Sequence, residues 1–238
     1  MSKALYELLG IGKHDLVSVT GAGGKTTMVY LLCDELATTG RNAVVSTTTH
    51  MQCPKEFKGA VVVEQNPAAA AVAVRAIGNR RTFAASESAA GCKVKGFDGP
   101  GLDLMHAVLD NSTILNEADG AAMRPYKFYR ANEPVIPQST TLIIHVIGCE
   151  TFGEAMNDTL FHRCPPDKVG RVFDEAEFTE QLRWFRDNKL APFHCRKVLV
   201  VNKIDGGREE AAYCMRDIGH SYFDACLVTS LHERRWES

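Results

Sequence analysis

The residues best suited to chemistry open the chain: Gly21-Ala22-Gly23-Gly24-Lys25-Thr26-Thr27. They follow an apolar run, Leu16 to Thr20. They precede a segment whose apolar positions Met28, Leu31, Leu32 and Leu36 recur at helical spacing. Strand, glycine turn and helix start, in that order, are what a phosphate-binding loop requires. Glycines let the backbone curl so that successive N–H groups face phosphate oxygens. The helix N-terminus adds partial positive charge. In this reading Gly21, Ala22, Gly23, Gly24, Lys25, Thr26 and Thr27 cradle a nucleotide. Lys25 bridges its β- and γ-phosphates, and the Thr26 hydroxyl ligates Mg²⁺, a hard cation that prefers oxygen.

A second constellation, Asn202-Lys203-Ile204-Asp205, ends the apolar run Val198 to Val201. Guanine presents two adjacent donors, N1–H and the exocyclic amine, and one carboxylate accepts both; adenine has no such pair. Asp205 would read the base, Lys203 would lay its stem over the ring, and Asn202 would tie the loop. GTP is therefore favoured over ATP, with ATP left open. The competing reading is a surface loop in which Asp205 caps the next helix. Leu227-Val228-Thr229-Ser230 could add a further base-side loop.

Between these lie Glu117 and Asp119, after the strand-like Ser112 to Leu115. A carboxylate at a strand tip can hold nucleotide-bound Mg²⁺ directly or through water. Asp119-Gly120 is a compressed γ-phosphate sensor, and Glu117 is the rival for metal contact or water activation. With Lys25 they form the candidate catalytic set, and Thr26 with Asp119 the candidate metal ligands. Solvated turn acids are the alternative. Ser46-Thr47-Thr48-Thr49 could hold Mg²⁺ or phosphate, or could be β-branched strand filling. His50 could be a base or ligand.

The elements needed to place these residues alternate along the chain. Strands are expected at 16–20, 42–49, 59–65, 81–85, 92–97, 112–115, 140–147, 198–201 and 225–229. Helices are expected at 25–38, 67–76, 102–109, 175–188 and 208–218. Runs such as Leu142-Ile143-Ile144 and Val198 to Val201 read as strands buried on both faces. The expected class is α/β, P-loop NTPase-like: a mainly parallel sheet with helices on both faces, in one domain over residues 1–238. The irregular stretch 120–138 carries three prolines and the basic residues Arg124, Lys127 and Arg130. A loop of that length is usually functional or disordered.

Composition removes other classes. The 238 residues carry 27 Lys+Arg against 29 Asp+Glu, a net charge of −2, which argues against a nucleic-acid binder. With 45% hydrophobic residues the chain can build a core, so disorder and small disulfide scaffolds are excluded. The eight cysteines form no close pair. Cys33, Cys149 and Cys226 sit in apolar stretches as small buried hydrophobes. No secretion signal or membrane-spanning run is evident, so a cytoplasmic location is expected.

The short TGxxGKTT loop resembles those of Mur-type amide ligases and of some metallochaperone GTPases. The whole set points further. GAGGKTT at 21–27, STTTHM at 46–51, KVKG at 93–96, EADGA at 117–121 and Pro125-x-Lys127 come in that order. EPVIP at 133–137, His162-Arg163 and VNKID at 201–205 follow. This series resembles the YqeC family, described as selenium cofactor biosynthesis proteins or accessory proteins of selenium-dependent molybdenum hydroxylases. The resemblance spans about residues 10–230. It departs at Asn116, where an apolar residue is expected, and at the aromatic Tyr126 and Phe128. It implies a P-loop nucleotide-binding protein that helps make or insert a labile selenium ligand in a molybdenum enzyme, with a selenium- or molybdopterin-containing small molecule and a molybdenum hydroxylase as partners; the leading activity expected is a Mg²⁺-dependent NTPase. Arg124, Lys127 and Arg130 would bind a second anion, and Cys164, with its pKa lowered by Arg163, could handle selenium. Ligase- or kinase-type transfer to an acceptor, or a nucleotide-gated switch, are the competing activities. A homodimer is a further expectation.

Overall fold

Apolar runs too continuous to alternate dictate buried strands, and the amphipathic stretches between them dictate covering helices. The computed structural model of this protein describes residues 3–52, 57–89 and 93–237. Its fold is α/β, with a large, mostly parallel sheet. The chain divides into two compact units. One holds 1–19, 28–120 and 135–142; the other holds 20–27, 121–134 and 143–238.

The elements of the first unit are α1 (Leu5–Leu8), β1 (Leu16–Gly21), α2 (Lys25–Thr38), β2 (Asn42–Thr47), β3 (His50–Gln52), β4 (Ala60–Val63), α3 (Pro67–Ile77), β5 (Arg81–Ala85), β6 (Glu87–Ala89), β7 (Lys93–Lys95), α4 (Gly99–Val108) and β8 (Ser112–Glu117). The last residues of β1 and the first turn of α2 belong to the other unit. The strand order is β1-β8-β2-β5-β4, parallel throughout. Leu16, Val44, Ala84 and Ile114 pack against Ala70, Val74, Leu102 and Met105 of α3 and α4. Asn66 caps α3 through hydrogen bonds from Ala68 N and Ala69 N, with Pro67 in the first turn. Helix α4 begins three residues earlier than its apolar period suggests. Asp98 accepts from Gly101 N, and Pro100 sits where a missing N–H costs nothing.

The second unit contains β9 (Tyr126–Lys127), β10 (Leu142–Gly148), β11 (Phe161–His162), α5 (Glu175–Phe185), β12 (Arg196–Asn202), α6 (Glu209–Gly219), β13 (Ala225–Ser230) and β14 (Arg235–Glu237). Its order is β14-β13-β12-β10, with β14 antiparallel to β13. The expected helix 175–188 is α-helical to Phe185 and continues as a π turn, Arg186–Leu190. The 120–138 stretch is tied down in part by β9, which pairs in parallel with β11. Tyr126, Phe161 and Phe173 pack with ring centroids 4.6–5.7 Å apart. Among the described residues no helix is long and apolar enough to cross a membrane.

Candidate functional site

The glycine turn, residues 20–27, lies in the second unit. Ala22 N donates to Val146 O at 2.8 Å and Gly23 N to Arg124 O at 3.1 Å. Three positions require glycine; at Gly23, φ +72°, a Cβ would lie 2.6 Å from Gly148 N. Gly21 has φ +97°, and a Cβ there would lie 2.1 Å from Val146 O. Gly24 has φ +141°, and its Cβ would lie 2.5 Å from Asn202 Nδ2. Lys25 is buried, its Nζ donating to Gly21 O at 2.6 Å, so its ammonium folds back over the turn. Thr26 and Thr27 at the start of α2 are exposed.

Asn202, at the end of β12, joins this turn to two other segments. Its Nδ2 donates to Gly23 O at 2.7 Å, while its Oδ1 accepts from Thr229 Oγ1 and Leu231 N, both at 3.0 Å. The three segments border a cavity of about 380 Å³ whose lining includes Gly23, Gly24, Thr27, Glu150, Lys203 and Asp205. Lys203 adopts a left-handed backbone, φ +73°, and pairs with Glu150. The Ser230 hydroxyl donates to the Asp205 carboxylate and holds its pKa below the ordinary value. Asp205 does not cap the following helix: the N-cap position of α6 is Arg208, with no side-chain cap. The structure thus brings together Gly21 through Thr27 with Asn202, Lys203 and Asp205.

Glu117 and Asp119 lie in the first unit, and both are buried, so neither is a solvated turn acid. Glu117 stands opposite Val19 on one side and Thr47 on the other. The hydroxyl run mostly fastens strand ends. Ser46 Oγ donates to Ala84 O at 2.8 Å, and Thr47 Oγ1 to Glu117 O and Thr48 Oγ1 to Val135 O, both at 2.7 Å. His50 is exposed at the start of β3. Among the described residues no three His, Cys, Asp or Glu side chains gather as a metal centre.

Two basic residues of the 120–138 stretch are engaged within the fold. Lys127 is buried with Nζ 3.0 Å from Glu133 Oε2, and Arg163 pairs with the same carboxylate. Burial pushes the Glu133 pKa up, but hydrogen bonds from Arg163 and Lys127 outweigh it and hold it low. Arg124 Nε donates to Asp158 O at 2.7 Å, and Arg130 is exposed. Burial, then the charges of Arg163 and Lys127, lower the pKa of His162. Cys164 differs from expectation: burial raises its thiol pKa, and Asp158 and Asp167 add to the rise. Burial pushes Cys33 and Cys226 up to about 12 and Cys149 to about 11, consistent with inert thiols. Cys53 and Cys92 lie outside the described residues.

Two residues escaped the sequence reading. Glu150 lies two residues beyond the end of β10, and only the fold sets it against Lys203. His145 had a visible signal, a single imidazole in the otherwise apolar strand Leu142–Gly148. Its Nδ1 lies 3.0 Å from Thr20 Oγ1, and its ring stacks on Phe185 at 4.2 Å and Phe223 at 5.9 Å. Burial first, then the charges of Lys25 and Lys127, push its pKa down to about 3, so it is neutral at ordinary pH.

The family model described as YqeC protein matches residues 17–165. A relative, the "Uncharacterized protein YqeC" of Escherichia coli (strain K12), is 30% identical over 210 residues. That alignment covers 84% of this chain and 80% of the relative. No solved structure matches. The chain belongs to the YqeC family.

Proposed function

We propose that this protein is a Mg²⁺-dependent P-loop nucleotide-binding protein that takes GTP in preference to ATP and hydrolyses it. The observation that carries this reading is Asn202, which ties the glycine turn to both segments beside Asp205. A nucleotide site needs its phosphate cradle and its base reader held at fixed separation, and one buried amide would do this here. The cavity they border suits a bound ligand in size, and its lining includes the cations Lys203 and Arg208 and the carboxylates Asp205 and Glu150. Asp205, kept ionised by Ser230, is suited to accept both guanine donors.

Mg²⁺ would arrive with the phosphates. The exposed Thr26 hydroxyl offers the oxygen such a cation takes. Lys25 would leave Gly21 O for the phosphates, where its charge opposes the charge developing in phosphoryl transfer. The role in maturing selenium-dependent molybdenum hydroxylases rests on the family motifs alone. Equilibrium dialysis of GTP with and without Mg²⁺, followed by assay of GDP and free phosphate, tests this reading. Mg²⁺-dependent binding with phosphate release supports it. No GTP binding at millimolar nucleotide contradicts it.

A further inference from the structure

Two adjacent residues that lack glycine's freedom, Ala122 and Met123, both sit at positive φ, +48° and +58°. Arg124 N donates to Ala121 O at 2.9 Å, which closes a tight turn over 121–124. Positive φ at both central positions is the geometry of a type I′ turn, which asparagine and glycine favour. A residue with a Cβ resists that region, because the Cβ crowds the following carbonyl. Packing does not impose the geometry, since Ala122 is exposed and Met123 is 97% exposed. An unfavourable backbone with no packing reason of its own directs attention to what the turn holds.

It holds the Arg124 carbonyl against the glycine turn of the same unit. Gly23 N donates to Arg124 O at 3.1 Å, so the chain itself occupies one N–H of the proposed phosphate cradle. Two further bonds anchor the neighbourhood. Arg124 Nε donates to Asp158 O at 2.7 Å, and Pro125 O accepts from Gly148 N at 2.9 Å. The peptide between Arg124 and Pro125 has no N–H, so its carbonyl is the only polar group of that unit. The carbonyl can swing off Gly23 while the guanidinium and Pro125 O stay in place. A phosphate oxygen offers the same N–H a charged acceptor, and such bonds are roughly twice as strong as neutral ones.

We propose that the Arg124 carbonyl is a built-in competitor for the phosphate turn: nucleotide phosphate displaces it from Gly23 N, and the strained 121–124 turn opens as it leaves. This rests on the reading of the glycine turn as a nucleotide site and adds its regulation. The closed turn lowers the apparent affinity in proportion to the share of chains it holds closed. The strain at Ala122 and Met123 opposes closure and keeps the cradle from being locked. Binding then shifts the exposed Met123, so this surface differs between empty and loaded protein.

The test is equilibrium dialysis of GTP with Mg²⁺ on the wild type, on Met123→Ile and on the double variant Ala122→Asn/Met123→Gly, all at exposed positions. A β-branched residue disfavours the closed turn, so Met123→Ile is expected to bind GTP about fivefold more tightly. Asn-Gly suits the closed turn, so the double variant is expected to bind about tenfold more weakly. Hydrogen exchange of the Arg124 amide, whose bond to Ala121 closes the turn, should quicken by about tenfold or more when the wild type is saturated with GTP. Equal affinities in the three proteins, the reverse order, or Arg124 exchange unmoved by bound GTP overturns the proposal. Each leaves the nucleotide reading standing, with Arg124 a fixed fastener of the turn. No GTP binding to any of the three at millimolar concentration overturns both.

Discussion

The side-chain amide of Asn202 donates to the carbonyl of Gly23 at 2.7 Å, across 179 residues of sequence. Its oxygen is also used twice, by Thr229 and Leu231. A buried amide with three satisfied bonds is a fastener for the loops around it. Asn202→Ala removes all three, at about 1 kcal/mol each. The expected loss is about 3 kcal/mol of stability, read from the urea midpoint with the slope unchanged.

Two glycine substitutions separate close approach from backbone freedom. Gly21→Ala places a methyl group 2.1 Å from Val146 O at φ +97°. The backbone must move, and a loss of about 4 kcal/mol or more is expected. Gly78 closes α3 at φ +61° with nothing within 4 Å of a new Cβ. Gly78→Ala should therefore cost only the left-handed penalty, about 1 kcal/mol. Equal melting temperatures for the two variants would contradict the packing described for the turn.

Acid stability should report His145. Its folded pKa, about 3, lies below its ordinary 6.5, so below pH 6.5 the unfolded chain binds a proton that the folded chain refuses. Its contribution is fully present above pH 6.5 and is lost as pH falls toward about 3, at up to about 1.4 kcal/mol per pH unit. Burial holds His106 and His162 low as well, which adds slope of the same sign. Comparison with His145→Gln isolates the one residue. Between pH 6.5 and 5 the wild type should lose roughly 2 kcal/mol more than the variant. Parallel stability profiles would show that the imidazole is not held neutral.

Much of this was readable before the fold was in view, for specific reasons. Val198 to Val201 and Leu142 to Ile144 are apolar at every position, which only a strand covered on both sides tolerates. The apolar period starts the helix at residue 102, although Asp98-Gly99-Pro100-Gly101 already open it once Asp98 caps it. The pairs Tyr126–Lys127 and Phe161–His162 are too short to leave a period. The stretch between β10 and α5 is held by contacts such as Met156 N to Arg171 O, 2.8 Å, which no local pattern encodes. At the candidate site the turn and Asn202-Lys203-Ile204-Asp205 announced themselves by type and spacing. Glu150 and Ser230 gain meaning only from the residues they face, Lys203 and Asp205.

Lys25→Met tests the phosphate side of the proposed site. It removes the ammonium while leaving a stem of similar length. Loss of a charged hydrogen bond is expected to weaken GTP by about 10- to 100-fold. The same change removes a charge that depresses His145, so the His145 titration, followed by NMR, should move upward. Unchanged GTP affinity would mean that Lys25 serves only the turn.

Base recognition by Asp205 is the central claim, and exchanging the base tests it most directly. Binding of GTP, ATP and xanthosine triphosphate should be titrated in Mg²⁺ on the wild type and on Asp205→Asn. The carboxylate accepts the guanine amine; an asparagine amide instead donates to the xanthine oxygen at that position. The wild type should prefer GTP, and Asp205→Asn should lose GTP by at least tenfold while gaining xanthosine triphosphate. Binding of ATP as tight as GTP, with no response to Asp205→Asn, would contradict the account and leave the cavity without a base reader.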